Sequence, residues 1–134
     1  MKRKSLFALS ALFVCVAANA GWKVVAPLEA NNGKWALYVD EEDIQKQGKR
    51  VRVSTLYDLP PTALLTVKDK EVRSIRDRIE GDCERDTYTS ISSSYSDGPM
   101  GTGHVVMTLG ASPEEEILPN TALATISKKA CGRP

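Results

Sequence analysis

The chain has one histidine, His104, among its 134 residues. A single imidazole excludes a histidine metal cage and a pair of catalytic histidines. A Ser-His-Asp relay would need His104 as base, a serine from residues 90–96 and an acid such as Asp97. No nucleophile-elbow pattern accompanies them, and serines at alternate positions of a strand read as its wet face. There is no C-x-x-C spacing, which argues against a redox-active cysteine pair. A basic excess is missing too: 18 Lys and Arg face 17 Asp and Glu, a net charge of +1 that gives no footprint for nucleic acid. No apolar run reaches the roughly 20 residues of a membrane-spanning helix. Residues 40–43, Asp-Glu-Glu-Asp, lack the spacing and central glycine of a calcium loop. The glycine-punctuated segment 97–103 suggests an anion nest, but it runs into a strand rather than a helix, so a connection using positive φ at glycine explains it more simply. These absences predict a protein that is not an enzyme and has no cofactor or metal.

What is present begins at the N-terminus. Lys2, Arg3 and Lys4 precede an apolar stretch over residues 6–17 and a small-x-small site, Ala18-Asn19-Ala20. That pattern predicts an export signal over residues 1–20, cleaved to leave one domain over residues 21–134. Phe13-Val14 before Cys15 is not the small-residue context of a lipid-modified cysteine. Cleavage removes Cys15 and leaves Cys83 and Cys131 in an oxidising compartment, where a disulfide is expected and two buried free thiols are the alternative. It also changes the balance to 15 basic against 17 acidic side chains.

Period-two alternation dominates the rest, which predicts a mainly β chain. Strands are expected at residues 22–26, 35–40, 49–59, 87–95 and 104–109, with a turn at Asn32-Gly33 and a stop at Pro60-Pro61. Residues 40–47 are read as an acidic turn of one or two helical turns, and residues 110–119 as a polar loop. In the 49–59 strand, Val51, Val53, Thr55 and Tyr57 face one way, while Arg50, Arg52, Ser54 and Asp58 form a wet face. Lys46, Lys49, Arg50 and Arg52 make a local basic bias, read as a solvated strand face or a contact for an anionic partner. Residues 71–83 fit either a helix (Val72, Ile75, Ile79) or a strand face (Arg73, Ile75, Asp77, Ile79), and composition leans to helix. Asn120 is expected to cap a C-terminal helix whose stripe is Leu123, Ile126 and Ala130. Alternation through residues 87–95 puts Tyr88 with Ser90 and Ser92, opposite Ile91 and Tyr95. An exposed tyrosine on a serine-rich face makes Tyr88, Ser90 and Ser92 the candidate protein-binding surface.

Trp22-Lys23-Val24, Tyr38-Val39-Asp40 followed by Ile44 and Gly48, and residues 51–58 form an ordered set with Ser74 and Asp82-Cys83. It continues through Gly98-Pro99-Met100-Gly101-Thr102-Gly103, Val105-Val106, Ser112-Pro113, Pro119 and Lys129-Ala130-Cys131. Over nearly all of residues 21–134 this set resembles the surface-adhesin protein E family. The resemblance implies a small antiparallel β domain (mainly β, α+β) with a C-terminal helix tied to the sheet by a disulfide, and it implies strand for residues 71–83. It also implies the periplasm or surface of a Gram-negative cell, and adhesin-like binding of a host matrix or serum protein or of an envelope protein. A structural or stress-related envelope component, a homo-oligomer built by strand pairing, is the alternative expectation.

Overall fold

The structure, a computed structural model, describes residues 21–63 and 65–133; the export signal expected at residues 1–20 lies outside the described residues. Its centre is an antiparallel meander. Strands β1 (Trp22–Ala26), β2 (Ala36–Asp40), β3 (Gln45–Gln47) and β4 (Arg50–Asp58) come first. A small hairpin of β5 (Thr66–Val67) and β6 (Lys70–Glu71) follows, then the long β7 (Ser74–Asp82) and β8 (Thr87–Ser96). Last come β9 (Val105–Leu109), β10 (Glu115–Glu116) and a helix, α1 (Ala122–Cys131). The main sheet is ordered β1-β2-β4-β7-β8-β10, with β3 also on β4 and β9 also on β8. Two ribbons are therefore interrupted strands: β2 and β3 pair with opposite ends of β4, and β9 and β10 with opposite ends of β8. The acidic segment at residues 41–43 is the first interruption, a short 3-10 turn whose leading Asp40 side chain accepts from the Glu42 N–H. The polar loop expected over residues 110–119 contains β10, because Glu115 and Glu116 pair with Tyr88 and Thr87.

Residues 74–82 are a strand, not a helix. Ile75, Asp77 and Ile79 lie on one face opposite Tyr57, Thr55 and Val53 of β4. That face carries the core: Leu37, Val39, Val51, Val53 and Ile79 pack against Ile126, Ala130 and Cys131 of α1. The helix starts one residue later than the sequence suggests. Thr121 is the N-cap, its Oγ1 accepting from the Ala124 N–H at 3.2 Å, while Asn120 sits at a φ of 61°. Gly132 ends the helix at a φ of 67°, the left-handed cap that glycine adopts without strain.

The opposite face is not simply wet. Leu56, Ser54 and Ser74 are almost fully buried there. The segment 97–103 folds over that end of the sheet: Ser74 Oγ donates to the Gly98 carbonyl (2.7 Å) and accepts from the Gly101 N–H (2.8 Å), and Asp58 Oδ1 accepts from the Met100 N–H (2.8 Å). Asp97 Oδ1 accepts from the His104 N–H at 2.7 Å. These amides are bonded within the protein, so the segment serves as a cover for Leu56 rather than an anion nest. Gly98 is required in it, since a Cβ there would stand 2.6 Å from the Thr102 carbonyl oxygen.

The helix has ten residues, a length marginal in water by itself. Its C-terminal end is fastened several times. Cys131 is bonded to Cys83 in the β7–β8 turn, Lys46 Nζ donates to the Cys131 carbonyl at 2.9 Å, and Arg133 pairs with Asp86 at 2.6 Å. Lys129 also pairs with Glu41. The disulfide closes a sequence separation of 48, for which chain entropy gives about 4 kcal/mol. Reduction is expected to lower the Tm by on the order of 15 °C and to release residues 122–131 before the sheet. Far-UV circular dichroism melts with and without reductant check this; superimposable melts would refute it.

Candidate binding site

Alternation breaks inside β8, and this changes where the candidate surface lies. Arg78 pairs with Ser92 and Ile79 with Ser90, which leaves Ile91 as an extra residue in a bulge. Below the bulge the phase is reversed. Tyr88 and Ser90 therefore lie on the helix-side face with Ser93 and Tyr95, and Ser92 lies on the opposite face beside Arg78. The expected trio is split. Tyr88 is half-buried, packs against the core and donates from Oη to Glu115 Oε2 at 2.7 Å. Donation to that carboxylate is the main cause that pushes the Tyr88 hydroxyl pKa up to about 12. Ser90 and Ser93 are linked through their hydroxyls at 3.4 Å.

The helix covers the helix-side face only over the end of the sheet that holds Val51, Val53 and Ile79. Beyond it the face is open, and a cleft of about 360 Å³ is lined by Trp35, Tyr57, Leu59, Leu65, Ile75, Asp77 and Tyr95. A second hollow of about 330 Å³ shares Trp35 and Tyr57 and extends past Tyr88, Glu115 and Glu116 to the first turn of α1. Trp35 and Tyr57 meet edge to face with ring centroids 5.2 Å apart, which fixes the wall between the two halves. Both volumes sit at the low end of the ~300–1,000 Å³ typical of ligand pockets.

Asp77 is the unexpected member of this group. It stands in phase with Ile75 and Ile79 on the open face, half-buried, and its carboxylate accepts from the Ser93 hydroxyl. Burial raises its pKa above the ordinary aspartate value, with the Ser93 hydrogen bond acting the other way. Tyr57 is raised as well, first by burial and then by the nearby Asp77 charge. Its neighbours in sequence turn away: Arg78 pairs with Asp43 at 2.6 Å on the opposite face, and the Arg76 guanidinium lies 5.8 Å from the Trp22 ring centre.

The other candidates do not assemble into chemistry. His104 is exposed and lies 3.5 Å from Asp97, with no serine bonded to it. The basic run is only partly paired within the protein: its two arginines share one carboxylate, and Lys46 donates to the Cys131 carbonyl. Arg50 and Arg52 bracket Glu80 at 2.8 and 2.9 Å, and the Arg52 hydrogen bond leads in holding the Glu80 carboxyl below its usual range. Lys49 stands 3.9 Å from Glu84. Among the described residues there is no group of three His, Cys, Asp or Glu side chains spaced to hold a metal.

The family model described as surface-adhesin protein E matches residues 22–132. The chain belongs to the surface-adhesin protein E family. This is a family of Gram-negative surface adhesins and not an enzyme class, so the chain is adhesin-like. No curated protein sequence matches it. The fold is similar to that of Haemophilus influenzae protein E in crystal form II, with a TM-score of 0.58 and 16% identity over 84% of this chain and 88% of that one. The selenomethionine form of that protein gives 0.59 at 16% identity, covering 84% and 87%. Protein E from non-typeable Haemophilus influenzae gives 0.54 at 16%, covering 81% and 74%. The disulfide-tied helix on an antiparallel sheet, expected from the protein E resemblance, is what the structure contains. Among the described residues no helix is long and apolar enough to cross a membrane.

The half-buried Asp77 sets a pH dependence. An acid whose pKa is higher in the folded state holds an extra proton there, so stability falls as pH rises from the ordinary aspartate range through the raised value. Asp77→Asn removes that loss and keeps an oxygen for Ser93 to bond. The variant is expected to melt above the wild type at pH 7, with the gap closing below pH ~4. Melting curves across that range test it, and a lower Tm for the variant at pH 7 would contradict it.

Proposed function

We propose that the chain is an exported, non-enzymatic envelope protein that binds another protein through the open aromatic cleft. One observation carries the reading: the half of the helix-side face beyond α1 is lined by Trp35, Tyr57 and Tyr95 instead of being closed as core. Large aromatic side chains in a concave site supply most of the energy at protein interfaces. Tyr88 and Ser90 of the expected surface lie on the same face and extend it towards the helix, while Ser92 lies on the opposite face. Export rests on the signal pattern in residues 1–20, which leads to the periplasm or the cell surface. The partner is a host matrix or serum protein or another envelope protein.

An oligomeric structural component is the second reading. The outer strands support it, because β1 exposes Val24 and β9 exposes Val105 and Leu109 at sheet edges that pair readily with another chain.

N-terminal sequencing of the exported protein is expected to begin at Gly21; a chain retaining Met1 would refute cleavage. Residues 21–134, immobilised and offered purified matrix and serum proteins and envelope extract, are expected to bind a partner saturably. Tyr95→Ala should weaken that binding at least tenfold, while His104→Ala leaves it unchanged. The absence of any saturable partner, or full binding by Tyr95→Ala, would overturn the cleft as the binding face. In the second case, a stable oligomer by light scattering would favour the structural reading.

A further inference from the structure

The composition of the cleft points to the chemistry of what enters it, provided that it is the binding face argued above. Its walls offer π faces from Trp35, Tyr57 and Tyr95. Its charged members are Asp77 in one half and Glu115 and Glu116 in the other, and among the described residues no lining residue of either half is basic. Seven ion pairs join a Lys or Arg to a carboxylate among the described residues, and Asp77 is in none of them. The two arginines beside it in sequence are engaged on the other side of the sheet, Arg78 with Asp43 and Arg76 with Trp22. The sheet thus presents a carboxylate among aromatic rings, with a hydroxyl as its hydrogen-bonding partner and, among the described residues, no cation paired with it.

Three kinds of side chain could fill such a site. An anionic one meets Asp77, Glu115 and Glu116 with like charge. A purely apolar one fits Leu59, Leu65 and Ile75 but leaves Asp77 further desolvated without a counter-charge, a costly arrangement. A guanidinium satisfies both halves of the lining: it stacks flat on aromatic rings and presents a planar fork to a carboxylate. Its apolar stem matches the Leu59, Leu65 and Ile75 wall.

We propose that the cleft receives an arginine side chain of the partner protein, its guanidinium held between the Trp35, Tyr57 and Tyr95 rings and paired with the Asp77 carboxylate. The acidic mouth at Glu115 and Glu116 draws the cation in, and Asp77 selects it.

The test uses two short peptides, acetyl-Gly-Arg-Gly-amide and the same peptide with citrulline, which keeps the shape and removes the charge. Each is titrated into isotopically labelled residues 21–134 and followed by amide shifts. The arginine peptide is expected to give saturable shifts centred on Tyr57, Ile75, Asp77 and Tyr95, with the citrulline peptide at least tenfold weaker. Asp77→Asn, folded by its own spectrum, should bind the arginine peptide at least tenfold more weakly. Equal binding of the two peptides, unchanged binding by Asp77→Asn, or no saturable shift with arginine would each overturn the proposal. Failure here with partner capture still lost in Tyr95→Ala means that the cleft binds protein through another side chain. Capture unaffected by Tyr95→Ala removes the binding face itself.

Discussion

Ten helical residues rise about 15 Å, whereas the nine residues of β4 run about 30 Å, so α1 covers only part of one sheet face. Which part is decided by the Cys83–Cys131 bond. Cys83 follows β7 at the end of the sheet where Val51 and Gly81 pair, and the helix is pinned there by its last residue. Lys46 and Arg133 fasten the same end. The stripe of Ile126 and Ala130 then has to fall on Leu37, Val39, Val51, Val53 and Ile79. Past Tyr57, the cleft lined by Ile75, Asp77 and Tyr95 lies beyond the reach of the helix. The cleft is thus a geometric consequence of a short helix tied at one end of a longer sheet.

The two faces of the sheet meet their shortage of covering chain differently. On the far side the segment 97–103 folds down and buries Leu56, with Ser74 and Asp58 bonding its amides and carbonyl. The middle of that side is held by polar contacts, in which Arg78 bridges Asp43 and Ser54. On the near side, among the described residues, Ile75 and Tyr95 line an open cleft. Aromatic rings fill the gap instead, because a tyrosine or tryptophan can stay half in contact with water while its ring packs. The face best suited to a partner is therefore the one that the fold leaves unfinished.

Much of this was legible in the sequence where hydrophobic phase marks the register. Residues 50–58 show it, since Val51, Val53, Thr55 and Tyr57 occupy the face that their alternation assigns. Residues 87–96 do not. Their Ser and Thr run has no apolar rhythm to fix which side is inward, so the bulge at Ile91 left no trace and moved Tyr88 and Ser90 to the helix side. Residues 72–79 satisfied both periods at once, and only pairing with β4 and β8 decides between them. The burial of Leu56 depends on a segment more than forty positions away, which local pattern cannot register. Asp77 did leave a signal. Once residues 74–82 are a strand, a carboxylate stands in step with Ile75 and Ile79, at a position where the phase calls for an apolar side chain.

That misplaced charge is also what separates the cleft from ordinary open surface. Several other carboxylates on or beside the sheet are compensated on the spot: Glu80 by two arginines, Asp43 by Arg78, and Asp82 by the Arg85 and Glu84 amides, the Arg85 bond leading the downward pull on its pKa. Asp77 moves the other way, since burial outweighs its one hydroxyl partner. A polar group held at a cost to stability, in a site that core packing would have filled with leucine or valine, fits a role realised outside the folded chain itself. A cation arriving with a partner would reverse the sign of that cost: the desolvation that now opposes the charged form would strengthen its attraction to the incoming charge. The same burial that makes Asp77 a weak point of the isolated domain would make it a selective one in the complex.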